Sequence, residues 1–253
     1  MKSLSLLISL FVLSVVACGA DNSTHYVIFL QNKILEDMPD SAFNQQYGSY
    51  EYDAIKAAFQ DRGYVLYSEE RPYGTDPDHY SWLVARQVDS LLKEGISPES
   101  ISVVGTGKGA LITMLTSAHI RNDQVRYVVL SGCNELVAHY FNIDLYGTVL
   151  SIREKTDYVW VSCDAIKDAS KGVYRYEEVE LNTGLQNGYL YKPMNEWLSL
   201  VYAWVEMYTS SLPLLYLLIF FRKYLQYGIW QERTAIVNRV AIESQRVCPV
   251  YRR

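Results

Sequence analysis

The stretch Ile101-Ser102-Val103-Val104-Gly105-Thr106-Gly107-Lys108-Gly109-Ala110 constrains this chain more than any other. An apolar, β-branched run stops at a cluster of glycines, and a helix-type pattern (Leu111, Ile112, Met114, Leu115) begins directly after it. The spacing predicts a buried strand that turns sharply into a helix. Two nucleotide-binding readings of the glycines do poorly. A phosphate-binding loop needs glycine where Ser102 stands and a hydroxyl where Gly109 stands. Gly105-x-Gly107-x-x-Ala110 matches a loose dinucleotide fingerprint, but no acidic residue ends the following strand at the expected distance. A glycine turn that only lets strand and helix pack stays open.

Around this stretch, strands and helices alternate. His25 to Leu30 reads as a strand and Gln31 to Ala42 as a polar loop. A helix opens at Ser49, with Tyr52, Ile55 and Phe59 inward, and ends at Gly63. Tyr64 to Ser68 is a strand. Asp78 is the expected cap of a helix over 79–94, whose stripe is Val84, Val88, Leu91 and Leu92. Tyr127 to Leu130, Val149 to Ile152 and Val173 to Leu181 are further strands, the last at an edge, and Asn195 to Tyr208 closes the domain as a helix. This alternation predicts an α/β fold: a mostly parallel sheet of about six strands with helices on both faces.

The ends of the chain differ from its body. Lys2 precedes an apolar run from Leu4 to Ala17, and Val15-Val16-Ala17-Cys18 has the form of a lipobox, so 1–17 is expected to be a lipoprotein-type signal. Cys18 would carry the lipid, 18–24 would be a linker, and 25–208 the folded domain. Gly19 beside the lipidated cysteine favours an exported protein of a bacterial envelope, held to the outer membrane and facing the periplasm. An ordinary cleaved signal is the alternative. From Thr209 on, seven basic residues stand against two acidic ones, and Leu212 to Phe221 is uncharged and apolar. A packed helix, a surface-lying helix and a membrane span all remain open for 209–253. The net charge of −5 argues against nucleic acid as a partner. Cys133 and Cys163 fall just past strands expected to be neighbours; they either pair in an oxidising compartment or stay as two buried thiols. Cys248 is left over.

Several separated motifs then agree in order: Tyr50-Glu51-Tyr52-Asp53-Ala54-Ile55, Ser68-Glu69-Glu70-Arg71-Pro72, Gly74-Thr75-Asp76, the stretch around Gly107, Ser131-Gly132-Cys133-Asn134, and Gly188-Tyr189-Leu190-Tyr191-Lys192-Pro193. From Tyr26 to about Leu200 the chain resembles a family of bacterial α/β-hydrolases whose nucleophile elbow reads V-V-G-A-S-K-G-A. The resemblance implies the α/β-hydrolase fold and three triad positions. The nucleophile serine falls on Gly107 and the histidine on Asn187, within Gly184-Leu185-Gln186-Asn187-Gly188. The acid falls on Asp157, the one position of the three that keeps the family's residue type. The His-Gly pair that helps form the oxyanion loop falls on Gln31-Asn32.

Acyl transfer on this fold needs a hydroxyl or thiol at the elbow and an imidazole to take its proton. Gly107 offers neither, and Asn187 is no base near neutral pH. Thr106 points its hydroxyl elsewhere, and Lys108 is expected to face solvent or a bound anion. Two readings follow. In the leading one, the protein is a catalytically degenerate hydrolase whose old pocket binds an unknown small molecule, with Gln31, Asn32 and Lys108 as candidate binding residues. In the other, an unrecognised nucleophile does esterase-type chemistry. No metal or cofactor is expected in either.

Overall fold

The structure is a computed structural model that describes residues 24–38 and 42–207. The signal segment, Cys18, the apolar run at 212–221 and Cys248 lie outside the described residues. The elements run β1 (Tyr26–Leu30), α1 (Ile34–Asp37), β2 (Phe43–Asn44), β3 (Gly48–Ser49), α2 (Tyr52–Asp61), β4 (Val65–Tyr67), α3 (Pro77–Lys93), β5 (Ile101–Thr106) and α4 (Lys108–Ile120). They continue as β6 (Arg126–Leu130), α5 (Glu135–Tyr140), β7 (Tyr146–Glu154), α6 (Asp164–Ala169), β8 (Gly172–Leu181) and α7 (Asn195–Val205).

Six strands form one sheet in the order β4-β1-β5-β6-β7-β8, every pair parallel. Alternate side chains feed two cores, as the two-residue period of a strand dictates. Ile28, Ile101, Val103, Tyr127, Val129 and Val149 meet Val84 and Val88 of α3 and Ile112 of α4 on one face. Val27, Phe29, Val104, Val128, Leu150 and Ile152 meet Ile55 and Phe59 of α2 and Trp197 and Val201 of α7 on the other. Central strands buried on both sides read as continuous apolar runs, as Tyr127–Leu130 does. The edge strand β8 instead carries Arg175, Glu177, Glu178 and Glu180, charges that discourage pairing with another chain.

Several expected boundaries move. Ser49 does not open a helix; it pairs with Phe43 in the β2–β3 hairpin, and α2 begins at Tyr52 without a side-chain cap. The cap of α3 is Asp76, not Asp78: its Oδ1 accepts from the His79 amide at 2.7 Å, with Pro77 in the first helical position. Leu92 is only partly buried, while Val84, Val88 and Leu91 are core. Nor is 31–42 a simple polar loop. Gln31 and Asn32 are buried, and α1 buries Ile34, Leu35 and the carboxylate of Glu36.

Candidate functional site

The ends of β1, β5, β6, β7 and β8 that carry Asn32, Gly107, Ser131, Asp157 and Asn187 all lie on one side of the sheet, the usual place for a site in such folds. At its centre, β5 passes into α4 through Gly107, whose φ of 55° and ψ of −115° is a conformation that side chains with a Cβ resist. Its neighbours two positions away on either side are glycine for a different reason. A Cβ on Gly105 would sit 2.2 Å from the Gly109 carbonyl oxygen, and one on Gly109 2.0 Å from that of Leu30. Strand, turn and helix therefore approach as closely as backbones can. The Gly107 amide donates to the Leu130 carbonyl at 2.9 Å, fixing the turn to β6. The geometry is that of a sharp strand-to-helix turn with no side chain at its apex.

Asn32 occupies the space in front of that turn. A Cβ at position 107 would lie 3.0 Å from Asn32 Nδ2 and 3.2 Å from its Oδ1. Asn32 is 9% exposed, and its backbone amide faces the Tyr50 hydroxyl at 3.5 Å, the outer limit of a hydrogen bond. Burial pushes the Tyr50 phenol up to about 12, against the opposing pull of the Thr106 hydroxyl and the Asn32 amide. Thr106 is itself fully buried beneath the turn.

Gln31 and Lys108 belong to a different arrangement from the one expected of them. Arg71 Nε meets Glu36 Oε1 at 2.7 Å, and Lys108 Nζ meets Glu36 Oε2. Arg71 also donates to the Gln31 side-chain oxygen at 3.1 Å and to the Gln31 carbonyl. The Arg71 and Glu36 side chains are fully buried, and that of Lys108 is 14% exposed. Lys108 thus does not face solvent. It reaches back over the turn to Glu36, because a carboxylate buried in α1 needs opposite charge close by. Sequence reading missed Glu36 and Arg71. Positions 36, 71 and 108 carry no local signal that they meet, although Arg71 stood within one of the shared motifs.

On the far side, Asp157 Oδ1 accepts from the amides of Val159 at 2.9 Å and Trp160 at 3.3 Å. Its Oδ2, like Asn187 Oδ1, is buried with no hydrogen-bond partner among the described residues. Glu154, also missed, holds the two loops together. Its carboxylate accepts from the amide and hydroxyl of Thr156 (3.2 and 3.0 Å), from those of Thr183 (2.9 and 2.8 Å), and from the Gly184 amide. Burial alone would raise its pKa, but these donors outweigh burial and hold it below the usual carboxylate range. Thr156 Oγ1 in turn accepts from the Gln186 amide, so the segments bearing Asp157 and Asn187 lie side by side. Tyr47, at the tip of the β2–β3 hairpin, donates to Gln186 Oε1 at 2.7 Å and lies against Gly188, where a Cβ would be 2.4 Å from its ring.

Ser131 and His119, a nucleophile type and a base type, are engaged elsewhere. Ser131, at φ 50°, is buried and shares a 3.0 Å hydrogen bond with the Tyr189 hydroxyl, whose pKa burial raises. His119 Nε2 lies 2.9 Å from Ser81 Oγ, but Ser81 is fully buried on α3 and the imidazole stacks on Trp82 at 3.7 Å. Burial lowers the His119 pKa. Cys133 and Cys163 form a disulfide with Cα atoms 5.2 Å apart, joining the segment after β6 to the segment after β7.

The chain matches no protein-family model and no curated protein sequence. Solved structures do resemble it. An esterase of the fungus Rhizomucor miehei aligns at 11% identity over 76% of this chain and 77% of its own, with a TM-score of 0.52. A YdeN-like hydrolase of Pectobacterium atrosepticum aligns at 11% identity over 79% of this chain and 97% of its own, with a TM-score of 0.48. An arylesterase aligns at 13% identity over 73% and 75% of the two chains, with a TM-score of 0.48. With six parallel strands, helices on both faces and an elbow at the end of the third strand in sheet order, the chain has the α/β-hydrolase fold.

Proposed function

We propose that this protein is a catalytically inactive α/β-hydrolase, exported and anchored by a lipid on Cys18, whose former active site binds rather than cleaves. The observation that carries the first part is the elbow. Gly107 holds a positive-φ backbone at the position of the nucleophile, yet brings no hydroxyl, and the Asn32 side-chain amide lies 3.0–3.2 Å from where a Cβ would sit. Asn187 replaces the base. Removing triad members from a hydrolase leaves at best about 10³–10⁴-fold catalysis from binding and the oxyanion hole. Export is supported by the Cys133–Cys163 disulfide, since such bonds persist in oxidising compartments.

The test is a fluorophosphonate probe on the purified protein together with a panel of short-chain esters. Neither covalent labelling nor turnover above background is expected, and labelling of any serine at one equivalent would overturn the inactive reading. The anchor is tested separately by Cys18→Ala. Loss of the protein from the membrane fraction, with a shift in gel mobility, is expected. Unchanged fractionation would remove the lipid from the proposal.

A further inference from the structure

Gln186 sits in a backbone conformation that usually selects glycine. Its φ is 50°, in the left-handed region that side chains with a Cβ resist, although Gly184 and Gly188 stand close by on either side. The side chain accounts for the choice. Its Oε1 accepts from the Tyr47 hydroxyl at 2.7 Å, and its Nε2 donates to the Tyr158 hydroxyl at 2.7 Å. One amide thus joins the β2–β3 hairpin to the loop after β7. The hairpin has little stability of its own, because each strand has 2 residues and the pair is separate from the main sheet. Its tip is internally fixed, with Asn44 Oδ1 accepting from the amides of Gln46 and Tyr47, so it would swing as one piece. Gly48, at φ 83° with open space where a Cβ would be, adjoins that tip.

The connection crosses the two segments that carry Asp157 and Asn187, since Tyr158 follows the first and Gln186 precedes the second. Burial, and then the neighbouring Asp157 carboxylate, push the Tyr47 phenol up. Closure has a cost: Asp157 Oδ2 and Asn187 Oδ1 are buried acceptors without a partner among the described residues. Opening would give both to water or to a donor on a ligand. We propose that Tyr47, Gln186 and Tyr158 form a latch that holds the β2–β3 hairpin closed over the Asp157–Asn187 side of the former active site, and that a ligand enters by its opening. What the latch guards rests on the reading of that site as one that binds.

Amide hydrogen exchange of the full chain, with no ligand added, tests the latch by breaking it at one end and reading the other. Tyr158→Phe removes a hydroxyl from a side chain that is 81% exposed, and is read at the hairpin side, at the amides of Tyr50 and of Gly188 beneath the Tyr47 ring. Tyr47→Phe keeps that ring in its seat, and is read at the amides of Val159 and Trp160, which donate to Asp157. Each variant should speed exchange at its distant reporters by about fivefold, the worth of one hydrogen bond. Gln186→Gly removes the amide while relieving the backbone, and should speed both sets. Amides of β5 and β6 should keep their wild-type rates. Acceleration confined to the substituted end, no acceleration, or equal acceleration throughout the domain would overturn the latch. Either phenylalanine variant suffices if Gln186→Gly does not fold. Failure here leaves the unlabelled, inactive protein standing. Fluorophosphonate labelling of the wild type would remove the inactive reading and leave coupled exchange as support for the latch.

Discussion

The proposal of an inactive site turns on Gly107 and on the side chain packed against it, Asn32. On the sequence alone, glycine in a strained turn looks like a relaxed version of the usual serine, differing by the cost of an unfavourable φ. The structure adds a second term, because a Cβ at position 107 would approach Asn32 to 3.0 Å. Gly107→Ser should therefore lower stability by about 1–2 kcal/mol, from backbone strain and displacement of Asn32. Asn32→Ala in the same chain should return part of that loss. A double-mutant cycle read by denaturant midpoints measures it, and strictly additive effects would show that Asn32 does not compete for that volume. For the same reason, Gly107→Ser with Asn187→His is expected to gain no fluorophosphonate reactivity unless Asn32 is also made smaller. The sharp strand-to-helix turn through Gly107 was legible in the glycine spacing. The packing of Asn32 against it was not, because nothing local in Gln31-Asn32 says which way an amide will turn.

At the level of elements, the strands were legible because their apolar runs are buried on both faces, whereas helix starts depend on single side chains. Asp76 and Asp78 both suit a cap, and the choice follows from Pro77, which favours the first helical position and leaves the cap to the residue before it. Asp76→Ala should cost about 1 kcal/mol in thermal or chemical denaturation, a typical loss for an N-cap, and Asp78→Ala should cost much less. The loops after β7 and β8 depend on Glu154 in a similar way, through five donors on one buried carboxylate. Its folded-state pKa lies below the unfolded value, so its contribution is complete above about pH 4.3 and is lost as pH falls through the folded-state pKa. Glu154→Gln should lower stability at pH 7 by about 1–3 kcal/mol, the range for unsatisfied buried hydrogen-bonding groups. Between pH 5 and acid, as about the range over which such carboxylates protonate, the gap to the wild type should narrow. A gap that stays constant with pH would mean that Glu154 acts by packing alone.

Across the whole molecule, the two cores on either side of the sheet account for the fold, and alternating strands and helices were enough to anticipate both. What periodicity cannot convey is convergence of distant single residues. Glu36, Arg71 and Lys108 meet only because β1, β4 and β5, whose following segments carry them, are neighbours in the sheet. The Cys133–Cys163 bond is an intermediate case. Its residues follow β6 and β7, which pair directly, so the sequence placed the sulfurs in reach but left open whether they join. The bond closes a loop with a sequence separation of 30 residues, for which chain-entropy arguments give roughly 3–4 kcal/mol of stabilisation. Both half-cystines are 2–3% exposed. Mild reductant should therefore act slowly on the native protein, and unfolding should speed it. Cys133→Ala with Cys163→Ala should fold less stably by about that amount, with unchanged sheet content by circular dichroism. Since the bond ties the segment after β6 to the one that leads from Asp157, amide exchange should rise between 157 and 163 before it rises in β7 itself. An uncrosslinked protein with wild-type midpoint and exchange would show that the two segments are held by the Val161–Cys133 backbone hydrogen bond and the core alone.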